Sequence, residues 1–407
     1  MAGLVGNVLE WYDFSIYGYF APMVGHHFFP AKNSSTSLIA AFAVFSAGFF
    51  TRPLGALVFG YIGDRYSRER ALTISILAMA LPTCTTGFMP TYQSIGVTAS
   101  IILVVLRLIQ GLSAGGEYTT SIVFLVEHST HGRRGLMGSF GLFGSIAGGM
   151  LGSATGAALT YLMPREVIMA WGWRIPFILG IAPAFFGIMI RRALRNAPIH
   201  PSQSEISLGN LLIQQWRSVA RVFGFELLEA VGFYMTFIYL STYLTRVVNV
   251  PEHLALIVNT LCMAFVLMVI PLSGSLSDRL GRKPLLLTAA IAAACFAWPL
   301  FRILQHPGFG SILAGELGLA TIIGLYEGAA PAAAAEVFPM SVRATGVALA
   351  FNLCMTLFGG TTPMVATSLI ALTQSNMAPP IYLATAALIS GLVVLTLRET
   401  AKTPLTS

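Results

Sequence analysis

The chain has 407 residues, of which 56% are hydrophobic and only 10% are charged. Soluble domains carry about 25% charged residues, so the composition excludes a soluble protein and indicates a membrane protein. The net charge of +7 does not indicate nucleic-acid binding, because the basic residues stand at the ends of apolar runs, as membrane topology requires.

Twelve apolar runs are long enough to cross a bilayer, which takes about 20 residues as a helix. The predicted spans are 4–30, 38–63, 71–90, 96–125, 135–161, 171–192, 219–246, 254–277, 284–303, 309–335, 343–372 and 379–397. The longest connection divides them six and six. The predicted domains are therefore an N-terminal six-helix bundle over 1–192, a cytoplasmic linker over 193–218 and a C-terminal six-helix bundle over 219–407. The linker is either an amphipathic helix on the inner membrane surface or a solvated connection.

The distribution of basic residues predicts the topology. Of the 23 lysines and arginines, 16 fall on one side of the predicted spans and five on the other. An excess of this kind marks the cytoplasmic side, so both termini are predicted to be cytoplasmic, in a bacterial inner membrane. No cleavable signal peptide is predicted, because the first apolar run contains Glu10 and Asp13 and has no basic leader.

The four cysteines show no metal-ligand or redox-motif spacing, so no metal site and no disulfide are predicted. Each lies inside an apolar run and is interpreted as a small core residue: Cys84, Cys262, Cys295 and Cys354.

Two short motifs occur once in each half of the chain. Gly-x-x-x-Asp-Arg-x-x-Arg follows the second span at 60–68 and the eighth span at 274–282. Between the fourth and fifth span of each half, a glutamate precedes an arginine by seven residues: Glu127 and Arg134, then Glu336 and Arg343. The nearly equal offsets indicate a duplicated six-helix unit, and parallel repeats of this kind place a substrate site at their interface near the membrane midplane.

These motifs resemble those of the major facilitator superfamily, and more narrowly those of its metabolite:proton symporter family. Segments 6–14, 50–55, 107–118, 171–177 and 336–343 carry the narrower resemblance. It runs from the first span to the last and implies an all-α membrane protein, with twelve transmembrane helices in two pseudo-symmetric six-helix bundles. The resemblance also implies transport of proline, betaines, α-ketoglutarate, citrate or shikimate together with protons.

The chain departs from the family pattern in two ways. In the first loop, Ser67 replaces the usual glycine and Glu69 replaces a basic residue. Glu229 and Glu327 match no motif of the family, and this second departure bears on the substrate.

Ionisable side chains inside the predicted spans are the strongest functional signal. Such a side chain at the bilayer centre costs about 2.5–3.5 kcal/mol on insertion scales, and it almost always faces a bundle interior or a water-filled cavity. Seven of them are the candidate functional residues: Glu10, Asp13, Glu117, Glu229, Glu327, Arg52 and Arg107. A polar pathway inside an apolar shell is typical of a transporter.

The acids of the first span are predicted to couple transport to protons. Glu10, Asp13 and Tyr17 share one helical face. A carboxyl group buried in a medium of low dielectric can hold and release a proton near neutral pH, so Asp13, with Glu10 and Glu117, is the predicted proton-coupling site. The alternative is that Glu10 and Asp13 only pair with arginines near the cytoplasmic interface.

Arg52 or Arg107 is predicted to hold a substrate carboxylate in a bidentate fork. The alternative is a fixed ion pair, such as Arg107 with an acid of the first span. Intramembrane acids outnumber arginines, which favours a zwitterion over a fully ionised tricarboxylate. Aromatic side chains either receive a quaternary ammonium group by cation–π attraction or serve only for packing. The predicted substrate-binding residues are Arg52, Arg107, Tyr17, Gln110, Tyr234, Glu229 and Glu327.

The charged residues at the span ends are interpreted as a cytoplasmic gate. The resemblance implies ion pairs between helices that close the cytoplasmic face while the outer face is open. The predicted gate residues are Asp64, Arg65, Arg68, Glu127, Arg134, Asp278, Arg279, Glu336 and Arg343. Topology alone would explain the arginines but not the repeated acids.

The sequence therefore predicts a proton-coupled symporter that imports a small carboxylate-bearing metabolite by alternating access, with a zwitterion such as proline or betaine favoured. The alternatives are a mono-, di- or tricarboxylate symporter, an antiporter, and a membrane sensor on the same fold. An intramembrane enzyme is not predicted, because no serine–histidine or metal constellation accompanies the buried acids. The expected partners are the solute, protons as coupling ion and the lipid bilayer, with no other cofactor, no nucleic acid and no obligate protein partner.

Overall fold

The computed structural model of the protein describes residues 2–55, 58, 62, 68–114, 117–130, 132–182, 185 and 208–405. Within these residues all regular structure is helical. Side chains are described for these residues except 2–6, 9, 68–72, 117 and 208–213. The predicted gate residues Asp64 and Arg65 lie outside the described residues, as do the side chains of Arg68 and Glu117.

The first half of the chain contains six helices, labelled α1–α6. Helix α1 spans Ala2–Tyr19 and resumes after Phe20 as Ala21–Phe28. The others are α2 (Ser34–Phe50), α3 (Arg68–Phe88), α4 (Val97–Ser113, then Glu117–Glu127), α5 (Arg134–Leu162) and the described part of α6 (Arg174–Leu179). Helix α2 begins where the Asn33 side chain accepts the Ser35 N–H, a typical N-terminal cap.

The second half contains α7–α12. Helix α7 consists of Leu208–Phe233, a π-helical turn over Tyr234–Tyr239 and Leu240–Arg246. The others are α8 (Glu252–Leu280), α9 (Arg282–Leu304), α10 (Phe309–Val337), α11 (Arg343–Thr373) and α12 (Ala378–Leu395). Gly281, at φ +113°, makes the turn between α8 and α9, a conformation that other residues rarely adopt.

Nine helical stretches of the described chain are long and apolar enough to cross a membrane. Helices α1, α3 and α6 are not among these nine. The apolar part of α3, Thr73–Phe88, is shorter than the others, and nine of the 22 residues of predicted span 6 lie outside the described residues. Residues 208–218 of the predicted linker lie in the helical stretch Leu208–Phe233, which is kinked at Gln215 (φ −117°, ψ 16°). The proposed domain boundaries stay a prediction.

Glycines of α5 allow close contact on two sides. A Cβ at Gly148 would lie 2.4 Å from the backbone oxygen of Val8 in α1, and one at Gly149 would lie 2.5 Å from Met263 in α8. Small residues let helix backbones approach closely in membranes. Helix α5 therefore packs tightly within the first bundle and also against the second.

The interpretation of the cysteines as core residues is wrong for Cys295, which is exposed on α9, and Cys84 is only half-buried. Cys262 and Cys354 are buried as expected. The reason is that a membrane helix turns one apolar face outward, where a small apolar side chain is tolerated as well as in the core.

Candidate transport site

Asp13 lies at the centre of a polar cluster formed by α1, α3 and α4. Its Oδ1 accepts hydrogen bonds from Thr83 Oγ1 at 2.6 Å and Gln110 Nε2 at 2.9 Å, and its Oδ2 accepts one from Arg107 Nη1 at 3.1 Å. Asp13 and Arg107 are buried, with exposed fractions of 2% and 1%. Hydrogen bonds to a carboxylate and a paired arginine favour its ionised form, whereas burial favours the protonated form. In this conformation the three donors, one of them Arg107, oppose the effect of burial on Asp13.

The Arg107 guanidinium also contacts the aromatic ring of Tyr17. It lies 3.7 Å from the centroid of the Tyr17 ring, within cation–π range. The Tyr17 hydroxyl donates a hydrogen bond to the Ala41 backbone oxygen. Tyr17 therefore contacts Arg107 through the face of its ring. The fixed ion pair between Arg107 and a first-span acid is thus the arrangement found here.

Arg52 forms a second ion pair between α1 and the end of α2. Its Nη2 lies 3.2 Å from Glu10 Oε1, and its guanidinium is flanked by the rings of Phe14 at 4.5 Å and Phe49 at 4.2 Å. Among the described residues, Arg52 Nε and Nη2 have no partner in hydrogen-bonding geometry. Because Arg52 also faces a cavity, it is better placed than Arg107 to receive a carboxylate.

Two adjoining cavities lie between the halves of the chain. Each has room for about one water molecule in this arrangement. One includes Glu10 and Arg52 in its wall. The other includes Glu229, Glu327 and Tyr234. The two share a wall made of Trp11, Tyr118 and Phe351. Together they form what we call the central cavity, bounded by an arginine on one side and by glutamates on the other.

The glutamates belong to a cluster of three, Glu226, Glu229 and Glu327, which we call the glutamate cluster. Glu226 and Tyr118 lie beside Glu229, and Glu327 lies close enough to interact with Glu226. All three carboxyl groups are buried. Among the described residues, no ion pair includes any of them. Among the described side chains, the intramembrane acids without an arginine partner therefore lie in the second half, since the acids of α1 have arginine partners.

Sequence reasoning missed Glu226, Thr83 and the cavity-lining Tyr118. The spacing of Glu226 and Glu229, three residues apart on one helix, places them on the same face and could have revealed the first. Thr83 carries no such signal, because its partner Asp13 is 70 positions away in the chain.

At one end of the molecule, two ion pairs join the halves. Arg134 Nη1 lies 3.0 Å from Glu336 Oε1, and Arg343 Nη1 lies 2.8 Å from Glu127 Oε1. Each glutamate thus pairs with the arginine of the other half. This reciprocal exchange is expected for two repeats related by a pseudo-two-fold axis along the membrane normal.

Asp278 also joins the halves at this end. Its carboxylate accepts the backbone N–H groups of Gly135 at 2.8 Å and Leu136 at 3.0 Å, at the N-terminus of α5, where an anion is favoured by the helix dipole. Arg282 pairs with Asp278 and with Glu336. The predicted gate residue Arg279 is exposed and does not belong to this network. Arg282 takes part in it instead.

The opposite end of the central cavity is closed by neutral polar contacts. Asn259 Nδ2 of α8 donates to Tyr19 Oη of α1 at 2.9 Å and to Ser153 Oγ of α5 at 3.0 Å. Thr260 Oγ1 donates to the same Ser153 oxygen at 2.9 Å. The halves therefore touch on both sides of the central cavity, which is an occluded arrangement.

Comparison with known proteins agrees with this architecture. The family model described as Major Facilitator Superfamily matches residues 3–363. The proline/betaine transporter of Salmonella typhimurium is 35% identical over 419 aligned residues, which cover 99% of this chain and 84% of that protein. The glycine betaine/proline/ectoine/pipecolic acid transporter OusA of Dickeya dadantii is also 35% identical, covering 99% of this chain and 83% of its own.

Solved structures show the same fold. The proton:xylose symporter XylE bound to 6-bromo-6-deoxy-D-glucose aligns with a TM-score of 0.77 at 17% identity, over 99% of this chain and 96% of that one. The inward-open conformation of the xylose transporter XylE from E. coli aligns with a TM-score of 0.75 at 18% identity, over 99% and 97%. The chain belongs to the major facilitator superfamily. It is a membrane transporter with twelve helices in two bundles, and the predicted fold class and resemblance are confirmed.

Proposed function

We propose that this transporter is a proton-coupled symporter of the bacterial inner membrane, importing a small solute with a carboxylate and a positively charged nitrogen, such as proline or betaine. The observation that carries the proposal is the charge layout of the central cavity. On one wall Arg52 is paired with Glu10 and has an Nε donor without a hydrogen-bond partner among the described residues. On the other wall Glu229 and Glu327 have carboxyl oxygens without such a partner. The two relatives described above, a proline/betaine transporter and a glycine betaine/proline/ectoine/pipecolic acid transporter, support the same class of solute.

The solute would lie between the two walls once the bundles move apart and the central cavity widens. Its carboxylate would accept hydrogen bonds from Arg52, because a guanidinium fork matches a planar carboxylate. Its positive end would face Glu229 and Glu327 and the rings of Trp11 and Tyr234, which can stabilise a cation through their faces. A fully ionised di- or tricarboxylate fits less well, because it would bring further negative charge to a wall that already holds unpaired acids.

Proton coupling is assigned to Asp13. In the occluded arrangement its carboxylate is held by Thr83, Gln110 and Arg107. A shift of α1 against α3 and α4 within the first bundle that withdraws these donors would leave a buried carboxyl group without compensation, and burial then favours its protonated form. Asp13 would thus bind a proton in one conformation and release it in another.

The orientation follows from the basic residues. The end that carries Arg134, Arg282 and Arg343 is proposed to be cytoplasmic, and the ion pairs between the halves there are proposed to act as the cytoplasmic gate. Both termini then lie in the cytoplasm.

The test is transport by the Asp13→Asn variant in proteoliposomes with an imposed pH gradient. Asparagine cannot release a proton, so we expect gradient-driven accumulation of labelled proline to be lost while exchange against internal proline remains. Glu166→Gln removes an exposed carboxyl group outside the central cavity and should leave both activities unchanged. Accumulation by Asp13→Asn at the rate of the unmodified protein would refute the assignment.

A further inference from the structure

The glutamate cluster contains more hydrogen-bond acceptors than the chain satisfies. Among the described residues, Glu226 Oε2, Glu229 Oε2 and both carboxylate oxygens of Glu327 have no hydrogen-bond partner. The exposed fractions of the three residues are 2%, 4% and 1%. Leaving a buried acceptor without a hydrogen-bond partner costs free energy. These oxygens therefore need hydrogen-bond donors, and the described residues do not provide them.

Neighbouring polar atoms in the same wall are also unpartnered. The Tyr234 hydroxyl and the Trp11 Nε1–H are buried without a hydrogen-bond partner among the described residues, and both side chains line the central cavity beside Glu229 and Glu327. Buried polar groups in native proteins are nearly always paired. Several unpaired groups converging on one cavity indicate that a ligand completes them.

The chemistry of these groups distinguishes between kinds of positively charged nitrogen. A primary or secondary ammonium group has N–H donors for carboxylate oxygens, whereas a quaternary ammonium group has none and can only be stabilised by aromatic faces and charge. A site built to hydrogen-bond a substrate N–H rejects an analogue that lacks it, because its own buried groups are then left unpaired.

We propose that Glu229 and Glu327, supported by Glu226, form a binding site for the N–H groups of a primary or secondary ammonium. The transporter therefore selects amino acids such as proline over quaternary ammonium solutes such as betaine. This inference rests on the proposed function and narrows it, since aromatic contacts alone would accept both kinds of solute.

The test is a series in which the N–H groups of the solute are replaced one at a time by methyl groups. Zwitterionic proline has two, N-methylproline has one and N,N-dimethylproline has none, while ring and carboxylate stay the same. Binding of each solute to purified protein is measured by competition against labelled proline. A hydrogen bond to a charged group corresponds to about tenfold or more in affinity, so we expect binding to weaken about tenfold with each N–H that is lost.

Matched variants assign the discrimination to the cluster. Glu327→Gln and Glu229→Gln should reduce the preference for proline over N,N-dimethylproline by about tenfold or more. Glu316→Gln is the control, because Glu316 lies on the same helix as Glu327, is 1% exposed and has two unpartnered oxygens among the described residues, but does not line the central cavity. It should keep the preference of the unmodified protein.

The outcomes separate this inference from the function on which it rests. If N,N-dimethylproline binds the unmodified protein as tightly as proline, the N–H site is refuted while transport of zwitterions stands. If none of the three solutes binds and dicarboxylates do, the proposed function fails and the site fails with it. The series needs no variant, so a glutamine variant that does not fold leaves the test intact.

Discussion

At the scale of single residues, the state of Asp13 depends on side chains that do not carry charge. The shortest hydrogen bond to Asp13, at 2.6 Å, comes from the Thr83 hydroxyl. Gln110 donates both to Asp13 and to the Thr83 oxygen. Hydrogen bonds to a buried charged group are worth more than those between neutral groups. The neutral donors therefore contribute to the choice between the ionised and protonated forms of Asp13.

Thr83→Val tests this contribution with almost no change in volume. The variant loses a donor to a carboxylate, which is worth about 1.5–3 kcal/mol, so we expect pH-gradient-driven uptake of proline to fall by about tenfold or more. Thr83→Ser keeps the hydroxyl and should retain most of the uptake. Initial rates in proteoliposomes measure both variants, and equal rates for valine and serine would show that the hydrogen bond is unimportant.

The sequence predicted which residues face the interior but not how they pair. Helical periodicity placed Glu10, Asp13 and Tyr17 on one face, and the structure buries all three. Their partners come from other helices, and no local pattern connects Asp13 with Arg107, which lies 94 positions away. For the same reason the choice between a substrate fork and a fixed ion pair stayed open until the contacts were known.

At the scale of helices, the short segment after α12 ties the C-terminus to the start of α9. The Glu399 carboxylate accepts the backbone N–H groups of Arg282 and Lys283, at the N-terminus of α9, and those of Thr400 and Ala401. Partial burial alone would raise the pKa of Glu399, but these four backbone donors outweigh it and lower the pKa below its usual value of 4.5. The carboxylate form therefore stabilises the folded chain.

The lowered pKa of Glu399 predicts a pH-dependent effect of Glu399→Gln. A carboxyl group with a depressed pKa contributes stability above its unfolded value, and this contribution is lost as pH falls through the folded value. We expect the variant to unfold at a lower temperature than the unmodified protein at pH 7, with the difference shrinking below about pH 4.5. Thermal unfolding in detergent at several pH values measures it.

A control for Glu399→Gln is Glu166→Gln, which removes an exposed carboxylate for which no such hydrogen bonds are found among the described residues. It should leave the unfolding temperature unchanged throughout the range. A difference for Glu399→Gln that grows as the pH is lowered would contradict the stabilising role of the carboxylate.

Helix positions could be predicted from the sequence, but their interruptions could not. The predicted span 254–277 lies within α8 at Glu252–Leu280, and 309–335 lies within α10 at Phe309–Val337. Hydropathy detects such runs because the membrane core imposes their length. The π-helical turn at Tyr234–Tyr239 is different, since it changes the hydrogen-bond ladder without changing the apolar composition.

At the scale of the whole molecule, duplication explains how the two halves meet. The repeated glutamates and arginines were visible in the sequence, but the exchange of partners across the halves is a property of the assembled pair of bundles. The two ion pairs differ in their partners and in their burial. Glu336 lies in a network with Arg134, Arg282 and the hydroxyl of Thr400, whereas Glu127 is joined to Arg343 and its side chain is 22% exposed.

This inequality predicts that the two glutamates contribute differently to closure of the proposed cytoplasmic gate. Glu336→Gln leaves Arg134 and Arg282 buried without their shared carboxylate, and breaking a buried pair costs about 3–5 kcal/mol. Glu127→Gln breaks a partly exposed pair, which is worth less. We therefore expect Glu336→Gln to shift the transporter further toward a conformation open at this end.

The measurement is thiol labelling of Ser139→Cys in a background that lacks the four native cysteines. Ser139 is buried on α5 and faces Gly274 of α8 across the junction of the halves, so a membrane-impermeant reagent reaches it only when this end opens. In inside-out vesicles, Glu336→Gln should raise the labelling rate about tenfold or more, and Glu127→Gln should raise it less. Glu166→Gln should not change it. Faster labelling in Glu127→Gln than in Glu336→Gln would mean that the partly exposed pair, and not the buried network around Glu336, holds the two halves together.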